Sequence, residues 1–259
     1  MTMPHRLDML DHRLLDEFQR GLPLVPRPYA AMGEWLGIDE CAVIGRLLAL
    51  KAQGFISRVG ATIHPNTAGA STLAAMSVPE ERVEEVAALV GAEMGVNHSY
   101  LREDQWNLWF VATAPDAAEL EAMLARISHK AALRVLDLRL VTPFNIDLGF
   151  SLSGRTEPVP AVRPARPEVL GADDRPLLQT LATGLALVAR PYAAVSVSLG
   201  LDEDAVLERI RLLTAAGIIS RLGVIVHHRA LGWTANAMVV WELPEERIPR
   251  AGKLAAAHS

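Results

Sequence analysis

"RPYAAMGEWLGIDECAVIGRLLALKAQGFISRVGATIH" (residues 27–64) returns as "RPYAAVSVSLGLDEDAVLERIRLLTAAGIISRLGVIVH" (residues 190–227), at a constant offset of 163 residues. A repeat at fixed offset means one structural unit made twice. Within the first copy, "RPYAAMGEWLG" reads as a short helix ending at Gly37. Asp39 is placed to cap the helix "IDECAVIGRLLALKAQGFI", and Gly54 closes it. "ISRVGATIH" then alternates as a strand. Upstream, "LDMLDHRLLDEFQRG" is an amphipathic helix pattern with Gly21 as its C-cap. Helix, helix, turn, helix and strand wing is the order of a winged helix-turn-helix, and residues 174–227 read the same way.

Outward from the repeat the pattern becomes mixed. "STLAAMSV" is a strand and "PEERVEEVAALVGA" a helix; "GVNHSYLRE" and "WNLWFVATA" are two strands. "PDAAELEAMLARISHK" is a helix and "ALRVLDLRLV" a last strand. This β-α-β-β-α-β order is ferredoxin-like. The second copy resumes the match at "LPEERI" (243–248), against "VPEERV" (78–83) in the first, having gained two residues. It reaches only the first strand and part of the first helix of the corresponding unit. An incomplete unit exposes an apolar sheet face and an unpaired strand edge, so either another chain or further residues would complete it. The expected organisation is α+β: winged helix-turn-helix over 5–63, ferredoxin-like domain over 64–152, and a Pro- and Arg-rich linker over 153–173. A second winged helix-turn-helix follows over 174–226, then a partial ferredoxin-like domain over 227–259.

The chain has 259 residues, a net charge of −5 and one cysteine, Cys41. No intrachain disulfide and no cysteine-based zinc site can form. The charge argues against broad capture of nucleic acid. With no secretory apolar segment at the start and no run long enough to span a bilayer, a cytoplasmic protein without membrane attachment is expected. No Gly-rich phosphate loop, HExxH or nucleophile elbow appears.

The polar residues concentrate in "NHSYLREDQWNLWF" (97–110). Residues two apart on a strand share a face, so His98, Tyr100 and Arg102 point one way. Trp106, Leu108 and Phe110 share a face of the next strand if it is regular, with Asn107 and Trp109 opposite. Imidazole, phenol, guanidinium and indole together can hold a flat aromatic ligand bearing carboxylates. A half-exposed sheet whose polar face is merely wet is the plainer reading of the same residues. In the wings, Arg58 matches Arg221 and His64 matches His227, and the second copy adds His228 and Arg229.

A winged helix-turn-helix followed by this β-α-β-β-α-β pattern resembles the Lrp/AsnC family of transcription regulators. That resemblance implies a ligand-responsive DNA-binding protein. Yet the recognition helices open with Ile38-Asp39-Glu40-Cys41 and Leu201-Asp202-Glu203-Asp204. Carboxylates there meet phosphates with the wrong sign, and no DNA partner is expected. The Asp and Glu residues also have a structural reading as caps.

"NHSYLREDQWNLWF", "RPYA" in both copies, "GVIVHHRALGWTANAMVVW" (223–241) and "PFNIDLGFSLSG" (143–154) look like the siroheme decarboxylases, an enzymatic branch of that fold. The tandem arrangement is similar to the fused form found in heme d1 biosynthesis. The resemblance implies loss of CO2 from two acetate side chains of siroheme to give didecarboxysiroheme, for heme d1 or an alternative heme route. It implies no cofactor beyond the substrate's own iron. It carries over His98, Tyr100, Arg102 and His228 as catalytic residues, and Arg58, His64, Trp109, Arg221, His227 and Arg229 as substrate-binding ones. His98 is the expected proton donor, and His98 or His227 an axial ligand to the substrate's iron. A homodimer, or self-association through the ferredoxin-like sheets, is also expected. A heme-binding carrier or sensor without turnover would share this pocket.

Overall fold

The computed structural model describes residues 7–144, 164–171, 173–232 and 239–256. Most of the 153–173 linker and of "PFNIDLGFSLSG", and residues 233–238 of the "GWTANAM" stretch, lie outside the described residues. The chain forms two units, Met1–His64 with Phe144–Ser259, and Pro65–Pro143.

The first unit contains both winged helix-turn-helix copies. Copy one runs α1 (Met9–Glu17), α2 (Pro28–Leu36), α3 (Glu40–Ala52) and β1 (Ile56–Ile63). β2 (Ala70–Met76), α4 (Val83–Gly91), β3 (Val96–Leu101), β4 (Leu108–Ala114), α5 (Ala117–Ala131) and β5 (Val135–Leu138) follow in the second unit. Copy two returns as α6 (Asp174–Thr183), α7 (Pro191–Leu199), α8 (Glu203–Ala215) and β6 (Ile219–Val226), with α9 (Ile248–Ala256) after it.

Local chemistry explains the helices. Proline stands at the first turn of α2 and α7, where its missing N–H costs nothing. Gly37 and Gly200 end them in the left-handed conformation. Asp39 and Asp202 cap α3 and α8, their carboxylates accepting from the N–H of Ala42 and Asp204. Gly21 does not cap α1. That helix ends at Glu17 with Phe18 as C-cap, because the Phe18 carbonyl accepts a hydrogen bond from Val224 N–H at 2.7 Å. The chain leaves the helix to meet the other copy's wing.

That meeting organises the unit. β1 and β6 pair antiparallel about Gly60↔Gly223, with Arg58 opposite Ile225 and Arg221 opposite Thr62. These residues are related by the offset of 163, so the two copies form a pseudo-twofold pair. The same symmetry recurs outside the ladder. Tyr29 donates to the Ala186 carbonyl and Tyr192 to the Pro23 carbonyl, both at 3.3 Å. Leu22 N–H reaches Leu222 O and Leu185 N–H reaches Val59 O. A Cβ on Gly60 would lie 2.4 Å from Leu181 O, and one on Gly223 2.3 Å from Gln19 O. Only glycine lets the backbones approach this closely.

The second unit is a four-stranded antiparallel sheet in the order β3-β4-β2-β5, the ferredoxin-like order. Met76, Leu108, Phe110 and Ala112 on the sheet meet Val86 and Val90 of α4 and Leu120, Met123, Leu124 and Ile127 of α5. α5 is capped by Asp116, which accepts from Glu119 N–H at 2.9 Å.

The first strand expected of the incomplete second ferredoxin-like unit is not formed over the described residues 239–244, whereas its helix is, as α9. A strand needs a neighbour to take its backbone hydrogen bonds, and none lies beside this one among the described residues. Val239, Val240 and Trp241 are exposed.

Candidate functional site

The stretch 97–110 builds the edge of the second unit's sheet. β3 pairs with β4 through Val96↔Ala112, His98↔Val111, Ser99↔Phe110, Tyr100↔Trp109 and Leu101↔Leu108, with an irregularity between Val96 and His98. An inserted residue flips the strand's alternation. Val96 therefore packs on the helix side with Ala112, while Tyr100, four residues on, takes the opposite face with Trp109, and the His98 backbone pairs with Val111. The His98 side chain is outside the described part of the structure; its backbone position is fixed by the register.

Tyr100 is 39% exposed, and the Arg102 guanidinium carbon lies 5.1 Å from its ring centroid. That is a cation–π distance, stabilising by about 0.5–1 kcal/mol at an exposed site. Arg102 N–H donates to Asn107 O at 2.8 Å, and its Nη1 to Leu101 O at 3.1 Å. Trp109 is buried, and its indole N–H donates to the Trp106 carbonyl. Trp106 is not in the strand, as regular alternation predicts, but in the turn. Its N–H donates to Asp104 Oδ1, a side-chain turn that ends the strand pattern at Asn107.

Asn107 bonds the turn to Val78, a contact that spacing arguments did not single out. Its Oδ1 accepts from Val78 N–H at 2.9 Å and its Nδ2 donates to Val78 O at 2.7 Å. The only signal in the sequence was a carboxamide between aromatic residues at a strand start.

The remaining predicted residues belong to the first unit. Arg58 and Arg221 lie on one face of the β1–β6 ribbon. Arg58 is half-buried; its stem lies against Gly184, its Nη2 is 3.5 Å from Ala61 O, and its buried Nε has no hydrogen-bond partner among the described residues. Burial pushes its pKa down. Arg221 is 8% exposed. His64 and His227 end the two wing strands, their N–H groups donating to Ile218 O and Phe55 O at 2.8 Å. His64 is half-buried and His227 exposed. His228 and Arg229 begin a short 3-10 turn, His228–Leu231, and their side chains are outside the described part.

Arginines of the recognition helices are engaged. Arg46 binds Asp8 and Asp11 at 2.8 Å, Arg209 binds Asp174, and Arg211 binds Glu208 and the Leu24 carbonyl. An open pocket of about 580 Å³ lies at the far end of the ferredoxin-like sheet, lined in part by Glu93, Met94, Glu119 and Arg126. It contains none of the predicted residues, and Lys130 and Arg126 close on Glu93, holding its carboxyl below the usual range. Among the described residues no three His, Cys, Asp or Glu side chains gather to hold a metal, and no helix is long and apolar enough to cross a membrane.

Residues 11–56 and 174–219 match the siroheme decarboxylase NirDL-like HTH domain, and residues 68–144 an AsnC-like ligand binding domain. The siroheme decarboxylase NirDL subunit of Paracoccus denitrificans is 58% identical over 246 residues, 95% of this chain and 76% of that protein. The siroheme decarboxylase of Hydrogenobacter thermophilus is 30% identical over 250 residues, 94% of this chain and 74% of that one. A crystal structure of the siroheme decarboxylase NirDL in complex with an iron-uroporphyrin III analogue superposes with a TM-score of 0.67 at 24% identity, over 95% of this chain and 72% of that one. That similarity establishes a shared fold. With tandem helix-turn-helix copies related by a pseudo-dyad, a ferredoxin-like ligand domain and this degree of identity, the chain belongs to the NirDL family of siroheme decarboxylases.

Proposed function

We propose that this protein decarboxylates siroheme, acting as a carboxy-lyase on two acetate side chains and yielding didecarboxysiroheme. The observation that carries the reading is the 58% identity with a siroheme decarboxylase along nearly the whole chain. The strand pair carrying His98, Tyr100, Arg102 and Trp109 is chemically suited to it.

Each step breaks the bond between an acetate methylene and its carboxylate. CO2 leaves, the electron pair passes into the conjugated macrocycle, and a proton delivered to the methylene carbon completes a methyl group. His98 is the proton donor, since imidazole titrates near neutral pH and can both give and regain a proton. Tyr100 and the Arg102 guanidinium stacked on it offer a flat surface and a cation for a propionate or acetate. Arg58 is likewise assigned to substrate binding, and holding carboxylates orients the reacting one without a covalent intermediate. His64, Trp109, Arg221, His227 and Arg229 are assigned to substrate binding and His228 to catalysis. His98 or His227 serves as axial ligand to the substrate's iron. No cofactor is required beyond that iron.

The engaged arginines and acidic starts of α3 and α8 favour this reading over DNA binding. The protein works in the cytoplasm and self-associates as a homodimer through its ferredoxin-like sheet. The tandem form favours heme d1 as the product's destination. The test is CO2 released per siroheme under anaerobic conditions. Two equivalents are expected. An absorbance change on mixing with no CO2 would make the protein a carrier, and salt-sensitive DNA binding without siroheme binding would make it a regulator.

A further inference from the structure

Asn107 sits where three strands of the ferredoxin-like sheet end. The β2–β4 ladder stops at Met76↔Leu108 and the β3–β4 ladder at Leu101↔Leu108. Beyond that point backbone pairing from β4 would have to continue through Trp106, but Trp106 is turned away into the Asp104 turn. The Asn107 side chain replaces the missing rung. A carboxamide presents a donor and an acceptor in one plane, as a peptide does. It meets both the N–H and the C=O of Val78, at 2.9 and 2.7 Å. Its own carbonyl accepts from Arg102 N–H at 2.8 Å.

One residue thus ties the buried end of β2 to the backbone of Arg102. The Arg102 guanidinium rests 5.1 Å from the Tyr100 ring, and Tyr100 faces Trp109 across the ladder. The Trp106 N–H is bonded within the tip, to Asp104, and the Trp109 indole to Trp106. Without the carboxamide the tip beyond Leu108 would lose its side-chain bonds to Val78, and Val78, which is buried, would lose partners for both its backbone groups.

We propose that Asn107 is a positioning residue for the siroheme reaction. It fixes the hairpin tip so that Arg102 stays stacked on Tyr100, ready to receive a substrate carboxylate. The proposal rests on the siroheme reading above and deepens it. Asn107 acts through Arg102 and does not touch the reacting carbon.

The experiment is a kinetic double-mutant cycle on the full chain, comparing wild type, Asn107→Ala, Arg102→Ala and the double variant, with siroheme as substrate. Thermal melting accompanies each variant. Asn107→Ala is expected to raise KM about tenfold while kcat changes by less than about twofold, because orientation of a carboxylate is lost and the proton donor is not. In the Arg102→Ala background the same substitution is expected to change KM by less than about twofold, the coupling expected of residues that act as a unit. Asn107→Asp keeps the acceptor for Val78 N–H and loses the donor. It is expected to fall between wild type and Asn107→Ala, and it replaces Asn107→Ala in the cycle if that variant does not fold. Equal changes in both backgrounds, or a lowered melting temperature with unchanged KM, would overturn the proposal. Wild-type protein that leaves siroheme unaltered would overturn the siroheme reading itself, and this proposal with it.

Discussion

Arg58 and Arg221 are one residue written twice, in different surroundings. Arg58 is half-buried with a single long hydrogen bond to Ala61 O, whereas Arg221 is 8% exposed. A guanidinium held half out of water without a carboxylate is poised to accept one. Arg58→Met is expected to weaken siroheme binding roughly tenfold, the scale of one charge-assisted hydrogen bond. Arg221→Met, at the more buried guanidinium, is expected to weaken siroheme binding and to lower the melting temperature as well. Absorbance titration beside thermal melting separates the two. The buried Asp174 carboxylate provides a pH test. Arg209, and then the Gly171 N–H, hold its pKa below the usual carboxylate value. A depressed folded-state pKa means stability that is present above the unfolded value, near 4, and lost as pH falls through the folded one. Asp174→Asn is expected to cost about 1.5–3 kcal/mol near neutral pH, and the difference from wild type should shrink on acidification. Denaturant titrations across that range measure it.

At the scale of elements, the close-packed wing ribbon makes a sharp prediction. Gly60→Ala or Gly223→Ala places a methyl group against a backbone carbonyl that cannot rotate away. Each is expected to destabilise the first unit by more than about 2 kcal/mol, through overpacking, read as a fall in melting temperature. Capped helices were legible in the sequence because their signals are local. Asp39, Pro28 and Gly37 announce their elements without reference to anything distant. Gly21 misled because the end of α1 is decided by Val224, 206 positions after Phe18, and no local signal carries that bond. Trp106 misled similarly, since an Asp104 side-chain turn overrode strand alternation. The strand within "GVNHSYLRE" was legible from the sequence. The irregularity between Val96 and His98, which belongs to the pairing with β4, and the Asn107 bonds to Val78 depend on neighbouring segments and were not.

Over the whole molecule, the repeat predicted two like units, and the structure adds that they are halves of one. The RPYA tyrosines explain why that motif recurs: each crosses the pseudo-dyad to a loop carbonyl of the other copy. Burial raises the pKa of both phenols, so the bonds persist through the ordinary pH range. Tyr29→Phe and Tyr192→Phe should therefore cost similar amounts, about 0.5–1.5 kcal/mol each in denaturant unfolding. The central claim, decarboxylation of siroheme, is tested most directly by anaerobic incubation with siroheme in D2O and mass spectrometry of the extracted pigment. Two successive losses of CO2 are predicted, with one deuteron gained in each new methyl group and the reaction abolished or strongly slowed in His98→Ala. A pigment recovered with its mass unchanged would contradict the account.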